Sequence, residues 1–236
     1  MNQTLIDEFL LHAAETYPNE CCGALAQKGK TVRYFRCANI ATNPRENFEI
    51  CPDDYGDAEA WGDVIGIVHS HPDATTQPSP HDRARCDQTG IAWHIVSYPE
   101  GDFRTIQPRG DVPLLGRPFV LGVHDCYGLI MDYYRQEHGI IIPDKRLPYE
   151  WWTADHTENL YQDYWEECGF LEFDGEPRPG DMVIMQVQAP RWNHAGILLE
   201  GNMLLHHLFG HLSKRTPYGG YWRERTVKIV RHKDLM

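Results

Sequence analysis

Residues 64–72 read Val64-Ile65-Gly66-Ile67-Val68-His69-Ser70-His71-Pro72, and this stretch decides the fold of the first half of the chain. VIGIVH is a continuous apolar run, the pattern of a strand buried on both faces. Residues two apart on a strand face the same side, so His69 and His71 project together. A polar loop from Pro72 to Pro78 follows. Ser79-Pro80-His81-Asp82 then reads as a helix start, with Ser79 as N-cap and Pro80 at the first helical position. Asp82, in the first turn of that helix, can close a His, His, Asp set of nitrogen and oxygen ligands. Such a set suits Zn²⁺ with a fourth position left for water. Water there has a pKa lowered to roughly 7 and attacks at neutral pH, given a base. Glu20, in Pro18-Asn19-Glu20-Cys21-Cys22-Gly23, is a candidate base at a helix-to-strand junction. Ser79-x-x-Asp82 is equally a capping-box variant, which needs no metal.

Around this strand the pattern alternates between helix and strand. Leu5, Ile6, Phe9, Leu10, Ala13 and Ala14 recur at helical spacing and predict a helix ending near Tyr17-Pro18. Ala24–Gln27 and Thr31–Cys37 read as paired strands about a Lys28-Gly29-Lys30 turn. Pro52 opens a helix through about Trp61, and Ile91–Tyr98 and Phe103–Gln107 read as strands. Pro108-Arg109-Gly110-Asp111-Val112-Pro113 carries breakers and marks a domain boundary. Beyond it Cys126–His138 is helical, closed by Gly139. Trp151–Cys168 carries an aromatic-rich helical pattern. Met182–Val187, His194–Leu199, Met203–Leu208 and Arg225–Val230 read as strands. The first half is therefore α/β, and the second is α+β, a helical lobe followed by an antiparallel sheet.

Composition narrows the function. The chain has 236 residues, 42% hydrophobic and 24% charged, a globular balance. Its 22 Lys and Arg against 34 Asp and Glu give a formal charge of −12. That argues against binding nucleic acid, whose affinity comes from neutralising phosphates. No apolar run is long enough to span a membrane. The first residues, with Asp7 and Glu8 inside the apolar stretch, read as an amphipathic helix and not as a secretory signal. Seven cysteines without paired CxxC motifs suit a reducing compartment.

One cysteine stands apart. His124-Asp125-Cys126-Tyr127-Gly128 opens the helix of the second half, where the helix dipole is expected to lower the thiol pKa. A thiolate nucleophile needs a histidine base and a third polar group to hold the imidazole. The sheet offers Asn193-His194-Ala195-Gly196 and Leu204-Leu205-His206-His207. Adjacent strand residues face opposite sides. A two-residue turn at Gly201-Asn202 puts His207 on the face of His194; a three-residue loop puts His206 there.

Glu20, His69-Ser70-His71-Pro72 and Ser79-x-x-Asp82 together resemble the motif of JAMM (JAB/MPN) metallopeptidases, over residues 1–108. The resemblance implies an MPN-like α/β domain with His69, His71 and Asp82 as zinc ligands. It further implies Glu20 as general base and Ser79 as a group that stabilises the oxyanion. The DCxG at the helix start, Pro179-Gly180-Asp181 before a strand, His194-Ala195-Gly196-Ile197 and the LLHH of 204–207 resemble NlpC-type cysteine peptidases, over residues 112–236. That implies a papain-like α+β domain with Cys126 as nucleophile, His194 as base and His206 as the orienting third residue. Many members of that family carry a tyrosine shortly before the DCxG; Phe119 stands there in this chain.

The order of the two domains resembles a tail-assembly family of lambda-like bacteriophages. So do YFRCANI at 34–40, Trp151-Trp152, Asn159-Leu160-Tyr161 and Leu212-Ser213-Lys214-Arg215. The resemblance implies a tail-tip assembly protein with two hydrolytic centres. One is a zinc (iso)peptidase, and the other cleaves host peptidoglycan stem peptides. Its implied partners are other tail-tip proteins, and its implied location is the host cytoplasm during assembly, with carriage on the tail tip. A tail-assembly scaffold, and a protease acting only on tail proteins, are the alternative functions.

Overall fold

The computed structural model describes all 236 residues. The chain divides into two compact units, Met1–Gly110 and Asp111–Met236. Each is built on its own sheet.

In the first unit the strands are β1 (Cys22–Lys28), β2 (Thr31–Cys37), β3 (Asp63–Pro72), β4 (Ala92–Tyr98) and β5 (Phe103–Ile106). They lie in the order β2-β1-β3-β4-β5, with β3 and β4 parallel and every other pair antiparallel. The helices are α1 (Gln3–Thr16), α2 (Pro52–Trp61) and α3 (Pro80–Thr89). The alternation of side chains along the strands sorts these helices into layers. Leu25, Val68 and Val96 pack with Phe9 and Ala13 of α1. Their neighbours in sequence face the other way. Ala24 and Ala26 meet Ala58 of α2, and Ile67 and Ile95 pack with Cys86 of α3. His69 and His71 share the parity of Ile67 and so face the α3 side. The sheet is covered on both faces, which accounts for the unbroken apolar run of β3.

The second unit carries a six-stranded sheet in the order β10-β9-β8-β7-β11-β6, antiparallel throughout. Its strands are β6 (Phe170–Leu171), β7 (Met182–Met185), β8 (His194–Leu199), β9 (Met203–His206), β10 (Lys214–Pro217) and β11 (Thr226–His232). Helix α4 (Cys126–His138) buries Leu129, Ile130 and Tyr134 against Ala195, Ile197, Leu205 and Val230. A smaller core of Val183, Met185, Leu198, Leu204 and Tyr218 fills the opposite face. The Pro179-Gly180-Asp181 turn is a structural clamp. The buried Asp181 carboxylate accepts from Arg231 of β11 at 2.7 and 2.9 Å and from the Arg178 N–H at 2.8 Å. Two short helices, α5 (Leu160–Tyr164) and α6 (Tyr221–Arg225), complete the unit.

The helical reading of Trp151–Cys168 is corrected. Only Leu160–Tyr164 is α-helical, and the rest is turns and irregular chain. The polar run Thr153–Asn159 is rich in residues that hydrogen-bond backbone locally, and such residues break helices. The aromatics at helical spacing are held one by one from outside: Trp151 and Tyr161 in the core, Trp152 against Phe209 at 5.9 Å. β6, β10 and α6 are too short to show a period.

Gly23 sits where β1 passes closest to β2. A Cβ there would lie 2.3 Å from the Phe35 carbonyl oxygen and 2.5 Å from the Tyr34 ring. Backbone cannot yield as a side chain does. Gly23→Ala is therefore expected to cost ~1–3 kcal/mol, read as a lower denaturation midpoint with an unchanged slope. Wild-type stability in that variant would contradict the close approach.

Candidate active sites

The first site forms where β3 meets the start of α3. His69 Nε2 and His71 Nε2 are 3.1 Å apart. Asp82 Oδ1 lies 3.3 Å from the first and Oδ2 lies 3.4 Å from the second. One donor atom from each of the three residues lies within 4.8 Å of the others, and a set of two imidazole nitrogens and one carboxylate oxygen suits a tetrahedral Zn²⁺ with a fourth position open. His71 Nδ1 is 2.8 Å from the Thr75 carbonyl, which can only accept. The ring therefore holds a proton on Nδ1 and turns Nε2 toward the cluster. His69 is fully buried, stacked on Phe48 at 4.7 Å and edge-on to Trp93 at 5.5 Å.

The capping box and the cluster share one carboxylate. Ser79 N–H donates to Asp82 Oδ2 at 2.7 Å, and Asp82 N–H donates to Ser79 Oγ at 3.1 Å. The cap thus aims Asp82 at the imidazoles. Burial works against the charged Asp82, but hydrogen bonds from His69 and His71 overcome it and hold the carboxyl far below the usual carboxylate range. Ser79 itself is exposed, with its hydroxyl hydrogen uncommitted to the cap.

Glu20 reaches the same place from the start of β1. Cys22 pairs with His69, Ser70 N–H donates to the Cys21 carbonyl, and Cys21 N–H donates to Ser70 Oγ at 2.7 Å. Glu20 is only 8% exposed. Burial pushes its carboxyl up to about 8, eased by His71 and reinforced by Asp82.

The second site lines one wall of a cavity of about 470 Å³ that also holds Trp151, Trp152, Tyr161 and Phe209. Cys126 begins α4, whose N-cap is Asp125. Asp125 accepts from Gly128 N–H at 2.8 Å and from Gly122 N–H at 3.0 Å. Here the expected fall in thiol pKa is corrected. Burial and the neighbouring Asp125 raise the Cys126 thiol to about 12. The positive end of the helix is already answered by the Asp125 cap, and little of it is left for sulfur.

The β8–β9 register decides between the two histidines. Leu199 pairs with Met203, leaving a three-residue loop, Glu200-Gly201-Asn202. Gly201 and Asn202 both take positive φ, +70° and +55°, which these residue types tolerate. Asn202 exchanges two 2.8 Å hydrogen bonds with the backbone of Tyr218, which holds the loop. His206 consequently meets His194, Nδ1 to Nε2 at 3.1 Å, while His207 turns to the His211 carbonyl and the Phe119 ring. Burial lowers His194 to about 3 and His206 to about 4. Cys126 and His194 both line the cavity, yet the thiol's hydrogen-bond partners are Tyr161 Oη at 3.2 Å and the Asn193 carbonyl at 3.9 Å.

Residues 2–107 match the family described as prokaryotic homologs of the JAB domain, and residues 116–231 match the NlpC/P60 family. The chain is 64% identical over 235 residues to "Tail tip assembly protein K" of Escherichia phage N15, covering 100% of this chain and 97% of that protein. The chain belongs to the tail tip assembly protein K family. It is also 35% identical over 184 residues to the protein of that name from Escherichia phage lambda, covering 77% of this chain and 88% of the relative. A further relative lies outside phages. A "Desampylase" of Haloferax volcanii is 32% identical over 117 residues, spanning 44% of this chain and 84% of that protein.

In this member of the K family the structure brings His69, His71 and Asp82 into one cluster, with Glu20 electrostatically coupled to it. It brings His194 and His206 into another, beside the cavity that holds Cys126. Thr75, Phe48 and Tyr161 were not found by sequence reasoning. A carbonyl acceptor leaves no trace in residue type, Phe48 lies in no motif, and the Asn159-Leu160-Tyr161 string carries a family resemblance without pointing to chemistry.

Glu20 titrates higher folded than unfolded, so its contribution to stability is full below about pH 4.3. That contribution falls as pH rises toward 8 and is gone above it. In metal-free protein Glu20→Gln should therefore gain stability over wild type between pH 5 and 9, by at least ~1 kcal/mol. Parallel pH–stability curves for the two proteins would show that the carboxyl titrates normally.

Proposed function

We propose that this protein is a tail-tip assembly hydrolase with two centres. The cysteine centre cleaves an amide in host peptidoglycan stem peptides, and the metal centre cleaves a peptide or isopeptide bond. The observation that carries this reading is that His194, paired with the buried His206, lines the same cavity as Cys126. It stands in a chain that matches a tail tip assembly protein from end to end.

At the cysteine centre His194 Nε2–H donates to His206 Nδ1, which leaves His194 Nδ1 free as base. A T-shaped contact with Trp222 at 4.3 Å suits an N–H on His206 Nε2. The resting pair is neutral thiol and neutral imidazole, because burial opposes both charges. The proton therefore leaves sulfur for Nδ1 as sulfur attacks the carbonyl carbon, and His194 returns it to the leaving amine.

At the first site His69, His71 and Asp82 are the residues to hold Zn²⁺. A Zn²⁺ there supplies Lewis-acid polarisation of the scissile carbonyl. Glu20 takes a proton from the attacking water and delivers it to the leaving amine, a task that suits a carboxyl titrating near neutrality. The Ser79 hydroxyl donates to the carbonyl oxygen as charge builds there.

A protease confined to tail proteins is the second reading. The aromatic lining of the cavity favours it, since Trp151, Trp152, Phe119 and Phe209 suit an apolar side chain better than a wall peptide. Digestion of purified peptidoglycan, followed by mass spectrometry, separates the two. Wild type should release stem-peptide fragments. Cys126→Ala should reduce release by at least ~10³-fold, and Asp82→Asn should leave it intact. No release by folded, reduced wild type would overturn the wall reading and leave tail proteins as substrate.

A further inference from the structure

The cavity that holds Cys126 contains a hydroxyl with no assigned task. Tyr161, on α5, is 4% exposed and places Oη 3.2 Å from Cys126 Sγ. Its ring is fixed between Trp151 at 6.3 Å and Tyr127 at 6.0 Å. The phenol whose ring meets Tyr161 is occupied: Tyr127 Oη donates to the Pro143 carbonyl at 2.8 Å and meets Cys168 Sγ at 3.0 Å. Phe119, at the position where a hydroxyl was expected from sequence resemblance, only packs against His207 and Phe209.

We propose that Tyr161 is a catalytic residue of the cysteine centre, donating its hydroxyl hydrogen first to the Cys126 sulfur as it loses its proton and then to the oxyanion formed on attack. This rests on the reading of Cys126 as nucleophile. With a neutral thiol either partner can donate. Once sulfur has lost its proton, only the phenol can. Burial, with Cys126 beside it, holds the Tyr161 phenol well above its ordinary pKa, so it keeps its hydrogen throughout. The step balances. The S–H proton moves to His194 Nδ1, the S–C bond forms, and the carbonyl π pair settles on oxygen. Tyr161 O–H bonds to that oxygen without transferring its proton. The C=O then re-forms, the C–N bond breaks, and the amine leaves with the proton from His194. An oxyanion on a carbon bonded to sulfur sits ~2.7 Å from that sulfur, so a donor that already touches the sulfur can come within hydrogen-bond reach of it. Among the other groups facing the thiol, Asp125 raises its pKa, the Asn193 carbonyl has no hydrogen to give, and His194 is the acceptor; the backbone N–H groups of Ala195 and Tyr127 also favour the thiolate, each by less than Tyr161 does.

Alkylation of Cys126 by iodoacetamide tests this without a substrate. The rate at pH 8.5 is read on the peptide that carries Cys126, with the Cys168 peptide of the same digest as internal reference. Tyr161→Phe should slow Cys126 by ~3–10-fold, because losing a donor to a charged partner raises the thiol pKa by ~1–2 and higher basicity returns about half of that in nucleophilicity. Cys168 should be unaffected. Incorporating 3-fluorotyrosine at position 161 keeps the ring and strengthens the donor, and should speed Cys126. An unchanged or faster rate in folded Tyr161→Phe, or no response to the fluorinated ring, would overturn the proposal. Failure of the underlying reading looks different: Cys126→Ala would then digest wall like wild type, whatever Tyr161 does to alkylation.

Discussion

Strand register is the constraint on which both sites depend. Side chains alternate with a period of two, so a slip of one residue carries a whole set to the other face. In the second unit the choice rests on one loop residue. Glu200-Gly201-Asn202 is three long, and that length puts His206 rather than His207 against His194. Asn202 is held at both of its hydrogen bonds to Tyr218, so the loop resists shortening. In the first unit the same period sends His69 and His71 together toward α3, and the α3 cap returns Asp82 to meet them. The pairing of Cys22 with His69 brings Glu20 to the cluster from β1.

Burial then sets the electrostatics of what the register has assembled. A helix N-terminus is worth ~0.3–2 kcal/mol, enough to move a pKa by about one. Desolvation moves pKa values by up to about 3–5. Burial wins at Cys126, where the thiol rises to about 12 while His194 falls to about 3. It wins again at Glu20, which rises to about 8. The consequence is that Cys126 and His194 both rest uncharged. The Glu20 carboxyl beside the His69–His71–Asp82 cluster, in contrast, is poised near neutrality.

Much of this was legible in the residues, and the reasons are specific. The run Val64–His69 and the Ser79-Pro80 helix start carry strong local signals, so the placement of His69, His71 and Asp82 could be read from spacing. The choice between His206 and His207 could be narrowed to a loop length but not made, because Glu200 can serve as the last strand residue or the first loop residue. Trp151–Cys168 misled, since aromatics pinned individually by distant partners can mimic helical periodicity over a segment whose polar residues break the helix. Tyr161 was hidden for a related reason. Its partner lies 35 residues away in sequence, and only the folded path of α5 brings hydroxyl to sulfur. The fall predicted for the Cys126 pKa failed because sequence shows the dipole but not the depth of burial.

The proposed chemistry needs a neutral histidine pair, set by the β8–β9 register, in which His194 donates from Nε2 and keeps Nδ1 as base. Long-range ¹H–¹⁵N correlation spectra of the histidine rings at neutral pH test it most directly. The account predicts that His194 carries its proton on Nε2 with Nδ1 unprotonated, and that His206 accepts on Nδ1. A proton on His194 Nδ1, or an imidazolium at either residue, would contradict it.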